Sequence, residues 1–129
     1  MFVVLEHDTT HAAGVPAAER GRHWDLLVEL PGRERLPTWR LARNPVEATD
    51  EIPAERLPDH RRFYLDYEGE VSGDRGVVRR ADRGPATIEH FEDDRVTVVL
   101  KGERLQGRFE IALQESGQAV FREALEASP

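Results

Sequence analysis

The run His23-Trp24-Asp25-Leu26-Leu27-Val28-Glu29-Leu30 constrains the fold more than any other stretch of this chain. Its alternation of polar and apolar residues is that of a half-buried strand, and side chains two apart on a strand share a face. Trp24, Leu26, Val28 and Leu30 should therefore point one way, and His23, Asp25 and Glu29 the other. An imidazole and a carboxylate side by side on a rigid strand make two-thirds of a metal site, or an acid–base pair. A second strand-like run, Phe2-Val3-Val4-Leu5-Glu6-His7, brings out another histidine at its end.

Short runs of the same kind recur at 37–41, 64–67, 76–80, 85–91, 95–101 and 108–113, with Gly32, Gly69, Gly73, Gly84, Gly107 and Asp93-Asp94 marking corners. Residues 8–22 break the pattern. They are small and polar and read as a loop holding one helical turn, with Pro16 near its start and Gly21 past its end. Residues 44–59 are interrupted by prolines and read as irregular, with a turn of helix at 53–56. Residues 118–126 place Val120, Phe121, Ala124 and Leu125 at helical spacing, as in a tail that either docks as a short closing helix or simply frays. The length of 129 residues suits one domain, 1–129. So many short strands favour a mainly β fold, a small antiparallel β-barrel with short helical segments, its interior or mouth holding the site.

The chain has no cysteine, which excludes disulfides and leaves nitrogen and oxygen as the only metal ligands. No apolar stretch approaches a membrane span and no secretory segment opens the chain, so a cytoplasmic protein without a membrane partner is expected. The formal net charge of −7 argues against gripping duplex nucleic acid with the whole surface, though not against a local basic groove. Lys101 is the only lysine, and Arg56, Arg61, Arg62, Arg75, Arg79, Arg80 and Arg83 gather in the middle of the chain. The guanidinium fork suits phosphate oxygens.

Several blocks, in order, resemble the phosphoesterase domain of bacterial DNA ligase D, the end-healing module of non-homologous end joining. The opening strand ending in His7 is similar to the family's first. His23-Trp24-Asp25-Leu26-Leu27-Val28-Glu29 resembles its His-Tyr-Asp-Phe-Arg-Leu-Glu strand, and Thr38-Trp39-Arg40-Leu41-Ala42-Arg43-Asn44-Pro45 resembles Ser-Trp-Ala-Val-Pro-Lys-Gly-Pro. Asp59-His60-Arg61-Arg62-Phe63-Tyr64-Leu65-Asp66-Tyr67-Glu68-Gly69 resembles Asp-His-Pro-Leu-Asp-Tyr-Leu-Asp-Phe-Glu-Gly. Leu100-Lys101-Gly102-Glu103-Arg104-Leu105-Gln106-Gly107-Arg108 resembles Leu-His-Gly-Glu-Lys-Leu-Lys-Gly-Arg.

The resemblance implies a compact β-barrel and a metal-dependent removal of 3′-phosphates and 3′-terminal ribonucleotides from nucleic-acid ends, beside a separate ligase or polymerase. It implies manganese as the cofactor, with zinc the alternative that imidazole ligands would also suit. Residue by residue, it implies His7, His23 and Asp25 as metal ligands, with His60 and Tyr64 contacting the scissile phosphate. Four departures stand against it. Leu27 replaces a phosphate-binding arginine, for which Arg40, Arg43 or Arg79 would have to substitute. The family's N-terminal extension is missing, fifteen residues separate His7 from His23 where the family has about five, and the turn after Gly69 is short. Those losses motivate the alternative, a catalytically weakened metal-containing module that binds nucleic-acid ends or a repair partner. His23-x-Asp25 is also part of the facial triad of iron(II)/2-oxoglutarate oxygenases, whose closing histidine lies much further along the chain.

Without the resemblance, His11 reads as a surface histidine, Trp24 and Trp39 as core, and Glu29 either as a group orienting a ligand imidazole or as a partner for an arginine.

Overall fold

A computed structural model describes residues 1–48 and 50–124 of the protein. Its strands are β1 (Phe2–Asp8), β2 (Arg22–Val28), β3 (Arg35–Leu41), β4 (Ile52–Arg61), β5 (Gly69–Glu70), β6 (Val77–Gly84), β7 (Ala86–Phe91), β8 (Arg95–Lys101), β9 (Gln106–Leu113) and β10 (Ala119–Glu123). They form one ten-stranded sheet in the order β5-β6-β1-β2-β3-β4-β10-β9-β8-β7. Two 3₁₀ turns, Ala17–Glu19 and Arg62–Leu65, are the helical segments among the described residues. No helix among them is long and apolar enough to cross a membrane.

The mainly β character with short helical pieces agrees with the sequence, but the expected barrel is overturned. The sheet is open, with β5 and β7 as unpaired edges. β6 and β7 are separated only by Pro85, which has no N–H to donate. At that residue the chain leaves the β1 ladder for the β8 ladder, so the strand that would close the barrel is split between its two ends.

Three local readings are also corrected. Residues 52–61 are a regular strand rather than an irregular stretch with a helical turn at 53–56. Pro58 is tolerated because the β3–β4 register shifts between Leu36 and Thr38, opposite that proline. Tyr64 lies in a 3₁₀ turn and not in a strand at 64–67. The closing helix at 118–126 is replaced by β10, which pairs with β9 across a tight turn around Gly117 (φ 88°); Leu125 and Glu126 lie outside the described residues. A period-3.6 reading and a half-buried strand compete over so short a run, and the Ser116-Gly117 turn decides for the strand.

Alternation along β1 and β2 fills two apolar clusters, one on each face. Phe2, Val4, Leu26 and Val28 join Trp39, Leu41 and side chains of β8–β10 in the larger. Val3, Leu5 and Leu27 join Leu36, Leu65 and Val78 in the smaller. The second face continues along the same two strands into His7, Asp25 and His23, so the polar cluster is seated on an apolar layer. Asp82 in β6 anchors another part of the frame. It is 4% exposed and accepts the backbone N–H groups of Arg83, Glu103, Arg104 and Leu105 at 2.6–3.2 Å. Gly102 permits that approach, since a Cβ there would lie 2.3 Å from Asp82 Oδ2.

Candidate metal centre

The antiparallel register of β1 and β2 sets His7 directly opposite His23, and Leu5 opposite Asp25. His7 Nδ1 lies 3.0 Å from His23 Nε2 and 3.9 Å from Asp25 Oδ2, and His23 Nε2 lies 3.5 Å from Asp25 Oδ1. One donor atom from each residue falls within 4.8 Å of the others. His7 Nε2 is 2.8 Å from the Arg75 carbonyl. A carbonyl only accepts, so Nε2 carries the proton and Nδ1 turns its lone pair toward His23 and Asp25. Burial is the main cause that lowers the His7 pKa from its ordinary value. The neighbouring His23 and Arg40 charges act in the same direction, while the Arg75 hydrogen bond and Asp25 oppose it. The effect keeps the imidazole neutral, the form that ligates metals.

Asp25 shows how well these residues suit a cation. It is 4% exposed, and its Oδ1 has no hydrogen-bond partner. A buried carboxylate oxygen left unpaired is costly, and a cation shared with two imidazole nitrogens would relieve the cost. Donors bound to one ion at about 2.0–2.2 Å lie roughly 3–3.5 Å apart, close to the separations seen here. Two nitrogens and one carboxylate leave coordination positions open, as a catalytic rather than a structural site requires.

The long spacing between the two histidines is a closed excursion. Thr9 N–H donates to the Gly21 carbonyl at 2.7 Å, and Gly21 N–H donates to Thr9 Oγ1 at 2.9 Å. The 3₁₀ turn Ala17–Glu19 after Pro16 lies inside this loop. The insertion thus leaves from and returns to the same point of the β1–β2 ladder, and the histidine pairing is indifferent to its length.

His7 and Asp25 line a cleft of about 430 Å³ together with Arg40, His60, Tyr64 and Arg75. His60, on β4, donates from Nδ1 to the Pro58 carbonyl at 2.9 Å, which leaves Nε2 free. The Tyr64 ring meets it edge-on at 5.9 Å. Arg40 is the register partner of Asp25, and its buried Nε has no hydrogen-bond partner. Of the other arginines that were candidates to replace the one at position 27, Arg43 is bonded to Asp50 and Glu51, and Arg79 lines a different cavity.

Leu27 shares the face of Asp25 as the alternation requires, but it does not border the cleft. It is fully buried in the apolar layer beneath. Glu29 is held by Arg62 and the N-terminus, away from the imidazoles. His11 is exposed in the insertion and lines a separate cavity, and His90 pairs with Glu92. Trp39 is core, and Trp24 packs against it partly buried. Arg75, whose carbonyl orients His7, carries no local sequence signal for that role, because the contact spans 68 residues.

A sequence profile of the DNA ligase D 3′-phosphoesterase domain matches residues 11–113, about four-fifths of the chain. A search of curated proteins finds no match. The profile match takes in His23, Asp25, His60 and Tyr64 and begins after β1, so the case for His7 rests on its position opposite His23. With this match over most of its length, the chain belongs to the DNA ligase D 3′-phosphoesterase domain family.

Proposed function

We infer that this protein is a divalent-metal-dependent phosphoesterase acting on nucleic-acid 3′ ends, removing a 3′-phosphate or a 3′-terminal ribonucleotide during end repair. The observation that carries the reading is the unpartnered Asp25 oxygen facing two imidazole nitrogens at a cleft also lined by Arg40 and His60. His7, His23 and Asp25 are the proposed ligands. A divalent ion held by them supplies positive charge against a phosphoryl group and lowers the pKa of water. Manganese is the proposed ion, since one carboxylate and open positions for water and phosphate oxygen suit it; zinc, favoured by two imidazoles, is the alternative.

The chain's own groups divide the remaining work. Arg40, which lines the cleft, supplies the guanidinium that position 27 lacks, its terminal N–H groups donating to a phosphoryl oxygen. His60, fixed by Pro58, presents Nε2 to the leaving 3′-oxygen and donates a proton to it. The Tyr64 hydroxyl donates to a non-bridging oxygen. A separate ligase or polymerase would take the resulting 3′-hydroxyl.

The test is release of phosphate from a 3′-phosphorylated oligonucleotide with added manganese, and its loss with a chelator. Phosphate release that returns with manganese supports the reading. Metal bound without release, across manganese, zinc and cobalt, would instead make the chain a module that binds ends or a repair partner.

A further inference from the structure

The mouth of the cleft carries a second feature that the chemistry above does not use. Arg35 on β3 and Arg61 on β4 are direct register partners, and both line the cleft. Like charges directly opposite on adjacent strands destabilise a sheet, and neither arginine has a carboxylate within salt-bridge distance among the described residues. Their neighbours differ. Arg62 is paired with Glu29, and Arg56 holds Asp59, which also lines the cleft, at 2.7 Å. The Arg61 guanidinium instead lies 5.7 Å from the Phe63 ring centroid and 5.8 Å from that of Tyr64, and Phe63 is 54% exposed. A guanidinium over an aromatic face keeps its in-plane N–H groups available to an anion.

We propose that Arg35 and Arg61 form a binding site for the phosphodiester next to the 3′ end, with Phe63 beside it as a surface for the adjoining sugar or base. The assignment rests on the functional reading above for which end enters the cleft. Arg61 follows His60 directly, and Arg35–Arg61 is the ladder pair beside Leu36–His60. The rim pair is thus the next ladder pair along from the group proposed for the terminal phosphate, and all three side chains line the one cleft. A bound phosphodiester offsets the repulsion between the two guanidinium groups, and the exposed ring is sequence-tolerant because every base has a π-face. The protein should then prefer an end that belongs to a strand over an isolated phosphate.

The experiment compares two probes with chelator present, so that neither is turned over: inorganic phosphate, and a tetranucleotide ending in a 3′-hydroxyl, made as DNA and as RNA. The double variant R35Q/R61Q should lose about tenfold or more in tetranucleotide affinity, the scale of charge-assisted bonds, with a shallower salt dependence. Its affinity for phosphate should be unchanged. Arg40→Gln should show the reverse pattern, weakening phosphate. R43Q/R62Q, which removes arginines already paired with carboxylates away from the cleft, should leave both probes alone. Equal losses for DNA and RNA assign the contact to the phosphodiester, whereas loss for RNA alone would assign it to the 2′-hydroxyl and overturn the site as stated. Unchanged tetranucleotide binding in R35Q/R61Q overturns it too, even if the wild-type protein releases 3′-phosphate. Selective loss in a protein that releases none would retain the rim site and reject the phosphoesterase.

Discussion

Asp25 and Asp82 are both buried carboxylates, each 4% exposed, yet their surroundings are opposite. Asp82 accepts four backbone N–H groups and ties β6 to the turn between β8 and β9. Asp25 has an oxygen with no donor at all, and its neighbours are two imidazole nitrogens. A carboxylate saturated by backbone amides is already balanced and has no capacity left for a ligand. One left unsatisfied at the edge of a cleft costs stability until a cation arrives. The pair separates the residues that hold this fold together from those that it holds in readiness.

The largest effect expected from the comparison is on stability at Asp82. Asp82→Ala strands several amides in the interior, at about 1–3 kcal/mol for each buried group left unpaired. We expect a loss of roughly 3–6 kcal/mol by denaturant unfolding, with metal affinity unchanged in whatever fraction stays folded. An Asp82 variant as stable as the wild type would end the contrast. Leu27→Arg probes the layer beneath the site. A guanidinium forced among Val3, Leu5, Leu36, Leu65 and Val78 is desolvated, and should cost about 3–5 kcal/mol without raising turnover. A stable and faster variant would mean that this strand can open toward the cleft.

His60→Ala separates chemistry from ligation on the Asp25 side. Loss of a general acid costs about 10²–10⁴ in rate, and metal content measured by elemental analysis should stay at the wild-type level. Loss of the metal along with the rate would place His60 among the ligands. The smallest effect is the pH dependence. His7 is held below its ordinary value near 6.5, chiefly by burial. Between the folded and unfolded values the unfolded chain binds the extra proton, so metal-free stability rises with pH through that window and falls on acidification. His7→Gln should remove this component from the unfolding curves, and an identical pH slope in the variant would contradict it.

The β1–β2 half of the site is legible in the sequence because period-two alternation decides which side chains share a face, and antiparallel pairing then brings His7 to His23. The same logic was blind at Leu27. Alternation places it correctly on the Asp25 face but does not say where along that face the apolar cover ends and the cleft begins. β4 was hidden by Pro53, which lies just past the last β3–β4 pair, and by Pro58, which is tolerated where the ladder shifts register opposite it, and both placements depend on β3. Closure of the sheet was beyond local reasoning as well. It depends on β6 and β7, separated only by Pro85, pairing with strands at opposite ends of the sheet. Arg75, Asp82 and the Arg35–Arg61 pair act across long separations or from unremarkable local sequence, so only the assembled sheet reveals them.

The most direct test of the claim that Asp25 awaits a cation is thermal unfolding of the wild type and Asp25→Asn, each with chelator and with saturating manganese or zinc. A ligand that binds only the folded state at a hundred times its Kd stabilises by about 2.7 kcal/mol. The wild type should show a metal-dependent rise of that order, and Asp25→Asn should show little or none. Without metal, Asp25→Asn should be at least as stable as the wild type, because the unpaired charge is gone. A variant that is destabilised without metal, or that keeps the full metal-dependent rise, would make Asp25 a structural carboxylate like Asp82 and refute the proposed centre.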